Sequence, residues 1–373
     1  MENVLNEEKK ESVFALVFKA VGRALKNKTF IYIVKRVLSL LITALLIVAL
    51  VTFLLRLLPD YKLYDQSLYK KFDGQFGREY ADRYKNSELY RYGRVDIHGN
   101  PISVLHSVVE YIYWVLPIPK KIPIRWTTDY SEVMLYWEGT TYFGKSVVSN
   151  KYVLDEFNAK IGLSFQVSMT AIAMAYLVGY PLGVAMAKKP GGIVDKLGNI
   201  FVVLNYAIPG LVFYLLMQKL LAPTFGFGYD VLDPDFTQLL PGIFSMAFLA
   251  IPGIIIWLRR FMLNELNSDY VKFARSKGLS ENRIMYTHVL RNAIVPLARN
   301  IPATFLGAIV GSYFVEKIWS IPGTGDMLIS ALTSMDVAVI QSLTVIYSII
   351  GMIAFLLGDL VTVFLDPRIK LVE

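Results

Sequence analysis

Long runs of apolar residues alternate with short polar segments along most of the chain. A helix needs about 20 mainly apolar residues to cross the hydrocarbon core of a bilayer. The clearest run, Val37 to Leu55, is bounded by Arg36 and Arg56, and further runs of similar length follow. They lie at about Ile161–Ala187, Ile200–Leu221, Leu239–Leu258, Ile294–Phe314 and Val339–Leu365. The pattern predicts an all-α membrane protein with about six transmembrane helices.

Basic residues collect on alternate connections between these runs. Lys188, Lys189 and Lys196 follow the second run, and the connection from position 259 to 291 is basic. Arg368 and Lys370 follow the last run, whereas the connection after the third carries Asp230, Asp233 and Asp235. Positive residues stay on the cytoplasmic side of a membrane. The sequence therefore predicts that both termini are cytoplasmic and that the protein is a multi-pass protein of a bacterial or archaeal cell membrane.

The predicted topology divides the chain into four segments. Residues 33–59 form the first transmembrane helix, and residues 161–371 form a core of five more. Residues 60–160, rich in Tyr, Trp and charges of both signs, are predicted to fold as a large extracytoplasmic loop. Residues 1–32 show apolar positions at helical spacing beside lysines and arginines. This pattern is compatible with an amphipathic helix on the cytoplasmic membrane surface or with a helix packed on the protein itself.

The composition narrows the possible chemistry. The chain is 55% hydrophobic and 18% charged, and a soluble protein of 373 residues rarely carries so large an apolar excess. It contains no cysteine, which excludes disulfides and thiolate metal sites, and three histidines are too few for a histidine cluster. The net charge of +8 arises mostly beside the apolar runs, so nucleic-acid binding is not indicated.

One cytoplasmic connection has a pattern of its own. It reads DYVKFARSKGLSENRIMYTHVLRNAIVP from Asp269 to Pro296. Gly278 can supply the left-handed residue that ends a helix, and Ser280 is a suitable N-cap for a second one. The predicted shape is a helix, a tight glycine turn and a short helix. Two interpretations are open: an elbow that docks into a groove on a soluble partner, or a basic loop that satisfies the charge bias.

This connection resembles the EAA loop of binding-protein-dependent ABC importers, and most closely that of the first permease of the oligopeptide/dipeptide family. The resemblance extends to FLLRLLP (Phe53 to Pro59), YFVEKIWSIPGTGDMLISAL (Tyr313 to Leu332) and GDLVTVFLDPRIK (Gly358 to Lys370). Their order and spacing follow that family from about Ile33 to Leu371. The loop 60–160 and the N-terminal extension are longer than is usual there.

The resemblance implies a type I ABC importer permease fold and a transport subunit without catalytic residues. The expected partners are a second homologous permease, two cytoplasmic ATPase subunits that hold ATP and magnesium, and an extracytoplasmic peptide-binding protein. The expected cargo is peptide, with dipeptides or nickel chelates as alternatives. In the coupling loop, 264–293, the residues expected to act on the ATPase are Ala274, Arg275, Lys277, Gly278, Leu279, Arg283, Ile284 and Met285.

Two further groups of residues are candidates for a role inside the membrane. Arg299 and Asp359 lie inside apolar runs, where a charge is costly unless paired, and we expect an ion pair between them. Glu316, Pro322, Gly323 and Gly325 are candidates for a gate or pathway lining, because the segment after Glu316 must leave regular helix. A plain exterior loop is the alternative.

Gly139 to Ser146, GTTYFGKS, fits the phosphate-binding loop pattern. The pattern binds phosphate only between a buried strand and a helix, and its flanks and predicted exterior position argue against nucleotide binding. Two rival functions remain, a membrane ATPase and an ion-coupled secondary transporter. The chain shows no internal repeat of the kind that secondary transporters often carry.

Overall fold

The computed structural model describes residues 28–96, 99–126, 132–137, 141–225 and 234–365. The predicted N-terminal extension lies outside these ranges up to position 27, as do Arg368 and Lys370. In chain order the helices are α1 (Lys28–Arg56), α2 (Gln66–Phe76), α3 (Arg78–Arg91), α4 (Val104–Val115), α5 (Val153–Lys188), α6 (Ile193–Ala207), α7 (Gly210–Phe225), α8 (Phe236–Leu266), α9 (Asp269–Ser276), α10 (Glu281–Arg283), α11 (Leu290–Ala293), α12 (Val295–Ala298), α13 (Ile301–Val310), α14 (Tyr313–Ile318), α15 (Thr324–Ser334) and α16 (Val337–Leu365).

The membrane spans agree in number with the prediction only if one bent pair of helices counts as a span. Within the described ranges, α1, α5, α8, the α13–α14 segment and α16 are long and apolar enough to cross a bilayer. The predicted third span is not one helix, because α6 and α7 meet at an angle of 97°. Pro209 explains the break, since it lacks an N–H and forces Ile208 into extended backbone.

Helices α5 and α8 pack together along a stripe of small residues. Ala171, Ala175, Gly179 and Gly183 recur every fourth residue on the buried face of α5. A Cβ atom at Gly179 would lie 2.9 Å from Cγ2 of Ile254 on α8. Membrane helices approach closely where their contacting residues are small, because lipid offers no hydrophobic drive for association. This pair forms the centre of the core.

The predicted fifth span is interrupted. Its residues belong to α12, α13 and α14, with breaks before Ile301 and at Gly311, whose φ is 75°. Pro296 and Pro302 each occupy one of the first positions of a short helix, where the missing N–H costs least. The chain after Gly311 turns into α14 and α15, which brings the Ile321–Gly325 segment against α5.

The long loop after α1 corrects the all-α prediction. It contains an antiparallel pair of strands, β1 (Lys120–Trp126) and β2 (Glu132–Trp137), beside helices α2, α3 and α4. Buried Arg94 connects this loop to the end of α1. Its guanidinium donates hydrogen bonds to the carbonyl oxygens of Arg56 (2.7 Å) and Leu58 (3.0 Å). These bonds satisfy carbonyls that the end of α1 leaves without helical partners.

Candidate functional site

Residues 269–289 form the predicted elbow. Helix α9 ends at Ser276, and Gly278 follows with a φ of 73°, the left-handed conformation that glycine adopts without strain. The side chain of Ser280 accepts a hydrogen bond from the N–H of Arg283 (3.4 Å) and so caps α10. A π-helix, Ile284–Val289, then leads into α11. The predicted order of helix, glycine turn and short helix is confirmed.

A salt bridge ties the two arms of the elbow together on its exposed side. The Arg275 guanidinium donates hydrogen bonds to both carboxylate oxygens of Glu281, at 2.8 and 3.3 Å. The bond from Arg275 holds the pKa of the Glu281 carboxyl below its ordinary value. Two parallel bonds fix the orientation of the two side chains as well as their distance, so the pair bridges the arms across the glycine turn.

The inner face of the elbow corrects part of the sequence interpretation. Ile284 and Met285 were expected to contact a partner, but both are buried in the chain itself. Together with Ala274 they pack against the ends of α5 and α8, in a cluster that includes Val184, Ala187, Leu258 and Met262. Leu279 is half-buried against the same cluster. These side chains attach the elbow to two membrane helices.

The outer face presents aromatic and basic side chains instead. Phe273 and Tyr286 are exposed, and so are Lys277 and Arg283. The Lys277 ammonium lies 4.4 Å from the centre of the Phe273 ring, a favourable cation–π distance. Sequence reasoning did not single out either aromatic as a contact residue. No local signal separates these two rings from neighbouring apolar residues such as Ile284 and Met285, which are buried.

Glu316 lies in a closed cage rather than on an open pathway. Its carboxylate is fully buried and accepts hydrogen bonds from the backbone N–H groups of Gly325 (2.7 Å), Asp326 (3.1 Å) and Ser312 (3.1 Å). Two of these donors belong to the first turn of α15, where orphan N–H groups favour a negative charge. The cage therefore supplies the partners that a buried carboxylate needs.

Glycine leaves the space that the Glu316 cage requires. A Cβ atom at Gly311 or Gly323 would collide with the Glu316 carboxylate, and one at Gly325 would lie 2.9 Å from backbone atoms of Ser312 and Tyr313. Pro322 lies half-buried beside them. Ser164 of α5 closes the far side by accepting a hydrogen bond from the N–H of Thr324 (2.7 Å). The predicted gate residues are thus brought together, around a carboxylate that is sealed in this conformation.

The predicted ion pair between Arg299 and Asp359 is present, with a nitrogen–oxygen distance of 2.9 Å. Two groups of α1 that the sequence did not suggest complete it. Arg36 lies 3.2 Å from the other Asp359 oxygen, and the Tyr32 hydroxyl donates a hydrogen bond to that oxygen at 3.2 Å. Asp359 is buried, so this cluster joins the first, fifth and sixth predicted spans.

The segment that resembles a phosphate-binding loop has a structural explanation. Asp336 is buried at the start of α16 and accepts hydrogen bonds from the Ser146 hydroxyl (2.6 Å) and the Val147 N–H (3.0 Å). Lys145 extends over the Tyr152 ring. The strand before the segment belongs to an antiparallel pair, which is not the arrangement that nucleotide binding requires. No group of three or more potential metal ligands occurs in the part of the chain that the structure describes.

The chain is similar to membrane subunits of known transport systems. Residues 179–371 match the model of the binding-protein-dependent transport system inner membrane component. The dipeptide transport system permease DppB of Lactococcus lactis is 30% identical over 62% of this chain and 77% of its own. DppB of Bacillus subtilis is 33% identical over 61% of this chain and 75% of its own.

Two other matches are less complete. The oligopeptide transport system permease AmiC of Streptococcus pneumoniae is 32% identical over 55% of this chain but only 42% of its own. A solved chain of the inward-facing MetNI methionine ABC transporter aligns with 57% of this chain and 96% of its own, with a TM-score of 0.46 and 16% identity. The family model covers more than half of the 373 residues, and the chain therefore belongs to the binding-protein-dependent transport system inner membrane components, as a multi-pass ABC importer permease of the cell membrane.

Proposed function

We propose that the chain forms, with a second homologous permease, the transmembrane pathway of a peptide importer driven by two separate ATPase subunits. The names of the dipeptide and oligopeptide permeases that it resembles support peptide as the cargo. The bent α6–α7 pair counts as one span in this proposal, which gives an even number of crossings. Both termini and the elbow are then cytoplasmic, and the loop 60–160 lies outside, where an extracytoplasmic peptide-binding protein delivers cargo.

The outer face of the elbow is the observation that carries the proposal. Exposed Phe273 and Tyr286 offer apolar area, while Lys277 and Arg283 surround them with positive charge. A compact helical projection of this kind fits a groove on a soluble partner, with aromatic rings as anchors and charges at the rim. We assign the docking contact to these four side chains, with Gly278 and the Arg275–Glu281 pair holding the shape.

The inner face supplies the mechanical connection. Ile284, Met285 and Ala274 are packed against α5 and α8, so a push on the elbow is transmitted directly to two membrane helices. Close-packed interiors do not deform continuously, and the helices are expected to move as rigid bodies. The Glu316 cage and the Asp359 cluster hold other helices together, and we propose structural roles for both.

Gly278→Glu tests the coupling role. We expect loss of ATP-dependent peptide uptake by the assembled transporter, with the protein still inserted in the membrane, because a carboxylate would occupy the turn between the docking side chains. Gly77→Glu is the matched control, since Gly77 is an exposed glycine between α2 and α3 with a positive φ of 88°, and a Cβ atom added there would meet no other atom within 4 Å. Normal uptake by Gly278→Glu would contradict the assignment.

Phe273→Ala and Tyr286→Ala test the same contact without backbone strain. Each should reduce co-purification of the ATPase subunits while the spans remain folded, and Phe355→Ala, an exposed aromatic of α16, should not. Purification also separates the rival functions. Hydrolysis of ATP by the isolated chain, or uptake driven by an ion gradient without the ATPase, would overturn the proposal.

A further inference from the structure

Helix α4, in the loop that follows the first span, has an apolar face that stays largely exposed in the part of the chain that the structure describes. Leu105 and Val109 are 74% and 60% exposed, and Tyr113 and Leu116 continue the same line. The spacing of four, four and three residues places them on one side of the helix. A stripe of this size facing water would be costly, which raises the question of what it contacts.

The opposite face of α4 fixes its depth relative to the membrane helices. Val108 and Tyr111 are buried in one cluster with Val48 of α1 and Leu343 of α16, and the Tyr111 hydroxyl lies 3.1 Å from Oγ of Ser342. Val48 lies eight residues before the end of α1, about 12 Å along its axis. Helix α4 therefore packs along the flanks of α1 and α16 rather than on top of the Arg56 end of α1.

The polar groups of α4 are mostly turned inward or satisfied by the protein. Glu110 lines a small cavity of about 40 Å³ with Thr52 of α1 and Gln341 of α16, away from the apolar stripe. The Ser103 hydroxyl accepts a hydrogen bond from the His106 N–H (3.2 Å) and caps the start of the helix. The His106 side chain is exposed at the border of the stripe.

Lys120 closes the other end in an unusual way. Its ammonium is buried and donates hydrogen bonds to the carbonyl oxygens of Tyr113 (3.1 Å), Trp114 and Leu116. Lysine side chains can satisfy the last carbonyls of a helix in any protein. In a bilayer those carbonyls must be satisfied within the protein, so this cap meets a condition for placing the end of α4 where water is scarce.

Helix α4 also lies against a span whose own exposed side is apolar. Helix α1 packs against α4, and its own exposed side chains include Leu46, Leu50 and Phe53. We propose that α4 is an interfacial helix whose Leu105, Val109, Tyr113 and Leu116 contact the acyl chains of the leaflet around the Arg56 end of α1. Tyr113 and Trp114 then lie at the level where amphipathic aromatic rings anchor membrane proteins.

Site-directed spin labelling of the assembled transporter in phosphatidylcholine vesicles tests this proposal. The chain contains no cysteine, so Leu105→Cys and Val109→Cys each provide a single labelling site. Leu50→Cys on α1 is the lipid-facing reference, and Gln75→Cys on α2 is the aqueous reference, because both positions are exposed. At each site we measure the ratio of collisions with oxygen to collisions with a water-soluble nickel chelate. We expect this ratio at both test sites to match that at Leu50→Cys and to exceed that at Gln75→Cys several-fold.

Two results would overturn the proposal. Nickel accessibility equal to that at Gln75→Cys would show that the face lies in water, and protection from both reagents would show that a protein covers it. His106→Cys provides an additional site should one label impair folding, and it is expected to give intermediate values because it borders the stripe. The readout does not depend on cargo or on ATP, so it stands apart from the proposed function.

Discussion

The elbow and the Glu316 cage both depend on glycine, but for different physical reasons. A Cβ atom added at Gly278 would meet no other atom within 4 Å, and the requirement there is the left-handed φ of 73°. At Gly325 the backbone is ordinary, and the requirement is space beside Ser312, Tyr313 and the Glu316 carboxylate. The exposed turn requires a backbone conformation that other residues rarely adopt, whereas the buried cage requires empty space beside the glycine. Replacing the two glycines should therefore destabilise the protein to different extents.

The largest expected effect comes from filling the cage. Gly325→Ala should lower the free energy of unfolding by about 3 kcal/mol, the upper end of the usual cost of overpacking, because the added methyl meets backbone atoms that cannot turn aside. Gly278→Ala should cost only about 1–2 kcal/mol, from the left-handed conformation alone. Thermal unfolding of the purified protein in detergent measures both.

Gly307→Ala is the control for these two substitutions. Gly307 lies in α13 with open space where the Cβ would be and an ordinary helical conformation, so alanine should be neutral or slightly stabilising. Equal destabilisation by Gly325→Ala and Gly278→Ala would remove the distinction between volume and conformation.

An intermediate effect is expected from changing the caged group itself. Glu316→Gln keeps the shape but turns an NH₂ group toward backbone N–H donors, and the loss should be about 1–3 kcal/mol in unfolding free energy. Glu265→Gln near the end of α8 is a weaker change, because its partner Tyr270 can still donate to an amide oxygen. Similar stability of the wild-type protein and Glu316→Gln would mean that the cage does not require a carboxylate.

The smallest effect concerns the exposed pair of the elbow. Because the pKa of Glu281 is lowered in the folded protein by the hydrogen bond from Arg275, the contribution of the pair is present above the ordinary carboxyl pKa of about 4.3 and is lost as the pH falls through the folded value. NMR titration of Glu281 should show this depressed pKa, returning toward the ordinary value in Arg275→Ala. An unchanged titration in that variant would contradict the pairing.

The sequence predicted those features that depend on local pattern. Apolar runs located the spans, and Gly278 with Ser280 predicted the elbow, because turn and cap chemistry act over a few residues. Ile284 and Met285 were misinterpreted, since nothing local distinguishes an apolar side chain that binds a partner from one that packs on its own helices. Tyr32 and Asp359 are 327 positions apart in the sequence, so only the folded structure brings them together. The donors around Glu316 lie four to ten residues away, but the chain must leave regular helix on both sides of α14 before their N–H groups can surround the carboxylate.

Placement of the elbow on the cytoplasmic face is the claim on which the proposed function rests, and labelling of Phe273→Cys with a membrane-impermeant maleimide tests it most directly. The account predicts labelling in inverted membrane vesicles stripped of the ATPase, protection when the ATPase is bound, and no labelling in intact cells. Gln75→Cys should show the opposite sidedness. Labelling of Phe273→Cys in intact cells would contradict the account.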